Sequence, residues 1–214
     1  MSSQVRIIIL CYKRWGNVNL IVKSLHKYYP ITVINNLAGH TYSNENAEVI
    51  NNDYNKFCME RWLRCYEYKE PFKVVLDDDI LITPRTVEKL IKNCIHIVGI
   101  FGYSSVNKSR NYFKLERSWN EKGKVDFLVG SVICVRQSSL DAIKKELLEY
   151  GLPLRGDDII LSYLIKHRFR LDYLPTVPGH YLNLPEYEVG LNRQSDHFEL
   201  RWQIIENFKK LGWT

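Results

Sequence analysis

The chain has 214 residues, 45% hydrophobic and 25% charged, with a net charge of +6. That length suffices for one α/β domain with a substantial core, and no apolar stretch approaches the ~20 residues of a membrane span. The positive charge fits an anionic ligand, but the basic residues are scattered, which argues against a nucleic-acid-binding arm.

The first apolar run, Val5 to Cys11, is bracketed by Arg6 and Lys13-Arg14 and has no small-residue cleavage site, so it reads as a buried strand and not as a signal peptide. A helix is expected over Asn17 to Tyr28, where Val18, Ile21, Val22 and Leu25 recur at helical spacing and Pro30 follows. Ile31 to Ile34 is a second strand ending at Asn35-Asn36, and this strand–helix–strand opening predicts a parallel pair. Residues 37–53 read as a polar loop and Tyr54 to Tyr68 as a helix. Phe72 to Leu76 is the next strand. Thr83-Pro84 opens a helix to about Cys94, proline being suited to the first turn.

Ile95 to Tyr103 reads as a strand, residues 104–124 as a hairpin or mobile loop, and Val125 to Val135 as a strand broken at Gly130-Ser131. Ser138 to Tyr150 is expected to be helical, Gly151 to Gly156 a loop and Asp157 to His167 a helix. Arg170 to Leu174 reads as a short strand and Phe198 to Leu211 as a terminal helix. The expected architecture is one α/β sandwich around a mixed sheet. Five cysteines, odd in number and without a CxxC pair, favour a reducing compartment such as the cytoplasm.

Asp77-Asp78-Asp79 is the strongest chemical signal. A buried-type strand delivers three carboxylates to one point, and the apolar chain resumes at Ile80-Leu81-Ile82. Such crowding is costly unless a cation or hydrogen-bond donors meet it. Mg²⁺ or Mn²⁺ holding a phosphorylated ligand answers that cost; a solvated acidic turn is the plainer alternative. Ligands of open α/β sheets bind beyond the carboxyl ends of the strands. Tyr12 and Arg14 follow the first strand and can stack on a base or reach a phosphate, while Asn35 and Asn36 follow the second and can read a base edge. Ordinary loop polarity is the alternative for each.

Asp157-Asp158 opens a helix, where carboxylates favour the positive dipole end, but two in a row after Gly156 exceed what capping needs. One could act as base, nucleophile or ion-pair stabiliser at a sugar carbon. His197 and Arg201, four apart, share a helical face; Arg201 could neutralise a departing diphosphate, and a surface pair is the alternative.

The ordered set ILCYKR, VINN, VVLDDD, DFLVGSVICV, DDIILSYLIKH and HFELR resembles the GT-A glycosyltransferases, within them the exostosin-type N-acetylhexosaminyltransferase domains, over roughly residues 5–210. The resemblance implies a GT-A, Rossmann-like α/β/α sandwich around a mixed, mostly parallel sheet, forming a single domain over residues 1–214 of the kind cut from a longer multidomain protein. It implies transfer of a hexose or deoxyhexose from a UDP-sugar to a carbohydrate or glycoprotein-glycan hydroxyl, with retention of configuration. It also implies Mn²⁺ or Mg²⁺ on Asp79 and Asp77, nucleotide contacts from Tyr12, Arg14, Asn35, Asn36 and Asn55, Asp78 toward the donor sugar, Asp158 with Asp157 at the anomeric centre, and His197 with Arg201 near the diphosphate.

The chain departs from the family pattern in lacking its cysteines and in the loop from Ser104 to Lys124. A sugar nucleotidyltransferase should carry a glycine-rich loop after the first strand, where this chain has CYKRWGN. A two-metal nuclease using both acidic motifs, and a non-catalytic carbohydrate-binding module using the 14 tyrosines and 5 tryptophans, are the other readings.

Overall fold

The computed structural model describes residues 4–150, 155–185 and 195–213. β1 (Val5–Cys11), α1 (Trp15–Leu25) and β2 (Ile31–Asn35) form the expected parallel unit, paired from Ile7 opposite Ile31 to Cys11 opposite Asn35. β3 (Glu48–Asn51) then adds a further parallel strand in a stretch that reads as loop. Its side chains are partly or fully exposed, as an edge strand allows, so it carries no hydrophobic alternation. The expected helix over Tyr54 to Tyr68 contracts to α2 (Glu60–Arg64) and one 3₁₀ turn, because Phe57 takes a left-handed φ of 55°.

β4 (Phe72–Asp77) lies parallel to β1 on the side away from β2. β5 (Ile80–Ile82) leads into α3 (Pro84–Asn93), which Thr83 caps by accepting from the Thr86 N–H, with Pro84 in the first turn. The single strand expected over Ile95 to Tyr103 is two, β6 (Ile97–Gly99) and β7 (Phe101–Ser104), in different sheets. The next stretch, read as hairpin or mobile loop, holds a 3₁₀ turn at Tyr112–Lys114, β8 (Glu116–Trp119) and β9 (Gly123–Val125).

The break at Gly130-Ser131 is real. β10 (Phe127–Leu128) pairs with β7, whereas β11 (Val132–Arg136) runs antiparallel to β4. α4 (Gln137–Ala142) and α5 (Lys144–Glu149) replace one expected helix, split at Ile143. The expected 151–156 loop lies mostly outside the described residues. α6 (Asp157–Phe169), β12 (Leu174–Thr176), β13 (Tyr181–Asn183) and α7 (His197–Lys210) complete the chain. β12 thus starts where the expected strand, Arg170 to Leu174, ends, and β13 is a further strand in a stretch not read as one.

The main sheet has the order β3-β2-β1-β4-β11-β6-β12-β9, with a three-stranded sheet β10-β7-β8 and the pair β13-β5 beside it. This is the mixed, mostly parallel sheet flanked by helices that the sequence leads one to expect. Alternation across the pleat builds two cores. Ile7, Ile9, Val74 and Leu76 pack with α1 and α3 residues such as Val18, Ile21 and Leu90. Ile8, Val75, Ile133 and Val135 face Trp62, Leu140, Ile160 and Phe208 of the helices on the other side. Among the described residues no helix is long and apolar enough to cross a membrane, and all five cysteines are free thiols.

Candidate active site

The parallel strands β1, β2 and β4 end side by side, so Tyr12 to Arg14, Asn35-Asn36 and Asp77 to Asp79 converge at one edge of the sheet. Strand β4 ends at Asp77, and Asp78 and Asp79 form the turn into β5.

The three aspartates point to different places. Asp78 is turned inward, its side chain 7% exposed: it accepts from the Tyr12 N–H at 2.8 Å and from Arg14 Nη1 at 2.6 Å. Burial pushes its carboxyl up to about 6, against the pull of Arg14. Asp77 and Asp79 keep 33% and 26% of their side chains exposed. Arg61 Nη1 donates to Asp77 at 2.5 Å and Arg14 Nη1 to Asp79 at 2.7 Å. Each outward carboxylate is therefore balanced by a buried arginine, which offsets part of the crowded charge.

Two hard oxygen donors on one turn fit a divalent cation whose other ligands are phosphate oxygens and water. A cage made by protein alone does not fit: among the described residues no group of three or more His, Cys, Asp or Glu side chains is placed to hold an ion.

Asp157 and Asp158 begin α6 and are both buried. Asp157 accepts from Arg61 Nε at 2.8 Å and Trp62 Nε1 at 2.5 Å. Asp158 receives both Arg201 Nη groups, at 2.8 and 2.9 Å, and the N–H groups of Gly130 and Ile159. Burial alone would raise the Asp158 pKa, but the bidentate Arg201 outweighs it and holds the carboxyl below its ordinary value. Arg201 Nε donates to the Tyr112 hydroxyl at 3.0 Å, so every nitrogen of this guanidinium is engaged.

Gly130 joins the halves. Its N–H goes to Asp158 and its carbonyl accepts from Arg61 Nη1 at 3.1 Å. A Cβ there would lie 2.3 Å from Arg61 Nη2, so any larger residue would push the Arg61 guanidinium off its place between Asp77 and Asp157.

The other expected site residues are placed as follows. Asn35 gives its amide N–H groups to the His40 carbonyl and Asn51, and its oxygen accepts from Trp15 and the Leu37 N–H. Asn36 donates to the Phe57 carbonyl and accepts from Asn52. The buried Asn35 and Asn36 thus form a ladder with the exposed Asn51 at the end of β3 and the buried Asn52 just after it, and shape the strand-end loops. Asn55 accepts from the Phe57 N–H and fixes that turn. Tyr12 is half-buried, and Lys13 Nζ sits 5.2 Å from its ring.

His197 is half-buried at the start of α7 with Nδ1 unpartnered among the described residues, and burial, reinforced by Arg201, lowers its pKa to about 4. The unfolded chain takes up a proton near 6.5 and the folded chain does not until about 4, so stability drains as pH falls through that window. Melting curves of His197→Gln and wild type, collected from pH 7.5 to 4.5, should therefore diverge, with wild type losing more Tm; parallel curves would contradict a buried neutral imidazole.

Arg61, Trp62 and Tyr112 are parts of this network that the sequence does not announce. Arg61 and Trp62 lie in Glu60–Arg64, an ordinary amphipathic-looking segment, and Tyr112 in a stretch read as loop. Their partners are 95 and 96 residues away for α2 and 89 residues away for Tyr112, beyond the reach of periodicity.

The fold resembles that of S. aureus TarS. A crystal structure of TarS 1-349 aligns with a TM-score of 0.54 at 12% identity, over 84% of this chain and 60% of that one. The same fragment in complex with UDP-GlcNAc gives 0.56 at 13% identity, over 91% and 60%. A further TarS structure gives 0.55 at 12% identity, over 96% of this chain and 42% of its own. The chain thus spans less than two thirds of these proteins, and at such identity the likeness is one of fold. No family model matches the sequence, and no curated protein gives a significant match.

Proposed function

We propose that this protein is a metal-dependent glycosyltransferase that moves a hexose or deoxyhexose from a UDP-sugar to a glycan hydroxyl. The observation that carries the reading is the strand-end site itself. Two partly exposed carboxylates, Asp77 and Asp79, stand on one turn, in a fold shared with a protein crystallised with UDP-GlcNAc. The order of motifs, which resembles exostosin-type domains and the N-terminal glycosyltransferase domain of a chlorella-virus protein, supports it further.

In this reading Asp79 and Asp77 would hold Mn²⁺ or Mg²⁺, which would supply positive charge to offset that of the diphosphate leaving group. Tyr12 and Arg14 border the nucleotide, Asp78 braces their loop from beneath, and Asn35, Asn36 and Asn55 set the shape of the base pocket. His197, neutral at physiological pH, offers a polar group without added charge. Asp158 stays ionised because Arg201 grips it, which suits stabilising a cationic anomeric carbon better than taking a proton as a general base. That favours retention of configuration. Arg201, fully engaged, acts on the reaction through Asp158, and Asp157 acts by fixing Arg61 beside Asp77.

Calorimetric titration with UDP tests the reading most directly. Binding should strengthen at least tenfold when Mn²⁺ is present, since a cation on Asp77 and Asp79 would give the phosphates a counter-charge. Equal binding with and without Mn²⁺ would remove the metal from the proposal, and no UDP binding at all would favour the carbohydrate-binding module or the nuclease. Formation of a sugar nucleotide from UTP and a sugar phosphate would favour the nucleotidyltransferase.

A further inference from the structure

We propose that Phe113 is the floor of an acceptor subsite, on which a pyranose ring of the carbohydrate acceptor stacks. The inference rests on the transferase reading, and it adds a residue and a ligand class that the nucleotide site does not contain.

Phe113 is 73% exposed, an unfavourable setting for a large apolar ring. Scattered exposed rings are common, but this one is neither isolated nor far from the chemistry. It sits in the 3₁₀ turn Tyr112–Lys114, and the preceding residue, Tyr112, is buried with its hydroxyl on Arg201. Arg201 in turn holds Asp158 in both hands of its guanidinium. A rigid chain of contacts therefore ties the exposed ring to the carboxylate assigned to the anomeric centre.

The ring is also backed. Phe198 lies 5.0 Å from Phe113 and 5.3 Å from Tyr112, with His197 5.0 Å from Phe198 on its other side. The result is a run of aromatic rings from the buried Tyr112 through Phe198 to the exposed Phe113, built from the 3₁₀ turn and the start of α7. Its outer member has no protein ring covering it among the described residues other than Phe198 at its edge.

A carbohydrate is the occupant this surface fits. A pyranose offers a flat apolar face of C–H groups to an aromatic ring, while its hydroxyls stay solvated or meet polar neighbours. Arg110, Asn111 and Lys114 flank Phe113 and are all exposed, so donors surround an apolar floor. Those donors can reach a sugar's hydroxyls, which a purely apolar partner does not offer.

Saturation-transfer NMR with a panel of methyl hexopyranosides and methyl 6-deoxyhexopyranosides tests the subsite. At least one glycoside should receive saturation at its ring C–H protons in wild type, bind about tenfold more weakly to Phe113→Ala, and recover with Phe113→Trp. Thermal melting checks that the exposed substitution leaves the fold intact. Equal saturation in Phe113→Ala, or no saturation of any glycoside by wild type, would overturn the proposal. UDP titration of wild type separates this from the parent reading: a Phe113-dependent glycoside signal without UDP binding keeps the sugar site and discards the transferase, and UDP binding without a glycoside signal does the reverse.

Discussion

Asp79→Ala should abolish Mn²⁺-dependent UDP binding and reduce UDP-sugar hydrolysis by on the order of 10²-fold or more, because on the proposed reading it removes one of the two carboxylates assigned to the cation. The fold should survive. Asp79 is partly exposed, and its partner Arg14 keeps Asp78 at 2.6 Å, so no buried charge is stranded. Isothermal titration of Mn²⁺ and UDP, together with a melting curve, reads both halves of the expectation. A variant that melts like wild type and still hydrolyses a UDP-sugar in a metal-dependent way would remove Asp79 from the site.

Arg201→Ala should do something different. It leaves the Asp158 carboxylate buried with only two backbone N–H donors and takes away the partner of the Tyr112 hydroxyl. Breaking one side of a buried pair costs about 3–5 kcal/mol. For a chain of this size that is a fall in Tm of roughly 6–20 °C. Turnover should fall mainly through kcat, since the proposed role of Asp158, held ionised by Arg201, is to stabilise positive charge that develops at the sugar in the transition state. Arg201→Met combined with Asp158→Asn removes both charges together, and it should recover part of the stability while leaving turnover low. If the double variant were no more stable than Arg201→Ala, the pair would not be the structural unit its geometry indicates; a change confined to KM would contradict the role given to Arg201.

The two variants separate the site into parts with different physics. At the outer turn, charge is left partly exposed and balanced from one side, which allows exchange of partners. In the inner network, Arg61, Asp157, Asp158, Arg201 and Tyr112 are buried and mutually satisfied, which fixes geometry. Gly130 is the point where these meet, through its N–H to Asp158 and its carbonyl to Arg61.

Much of this was legible in the residues alone because the signals were local. An isoleucine-rich run makes a buried strand, Thr83 and Pro84 make a helix start, and Gly130-Ser131 interrupts a strand; each depends on neighbours within a few positions. The triple aspartate is likewise a local statement, a charge density that demands an answer. What failed locally did so for identifiable reasons. β3 is an exposed edge strand held by its pairing with β2, so it has no apolar alternation to read. Residues 97–103 hold one run without a charged side chain, yet the chain changes sheets between Gly99 and Phe101.

By itself the sequence determined the α/β alternation, the parallel opening unit and the places where acidic and basic groups concentrate, since those follow from periodicity, turn chemistry and composition. Only the tertiary structure decided how the three aspartates divide. The turn after β4 sends Asp78 inward to Arg14 and leaves Asp77 and Asp79 toward solvent, and Arg61 arrives from α2 to join Asp77 to Asp157. The physical reason is that a carboxylate's role depends on which counter-charge and how much water reach it, and both are set by segments brought together in folding from distant parts of the chain.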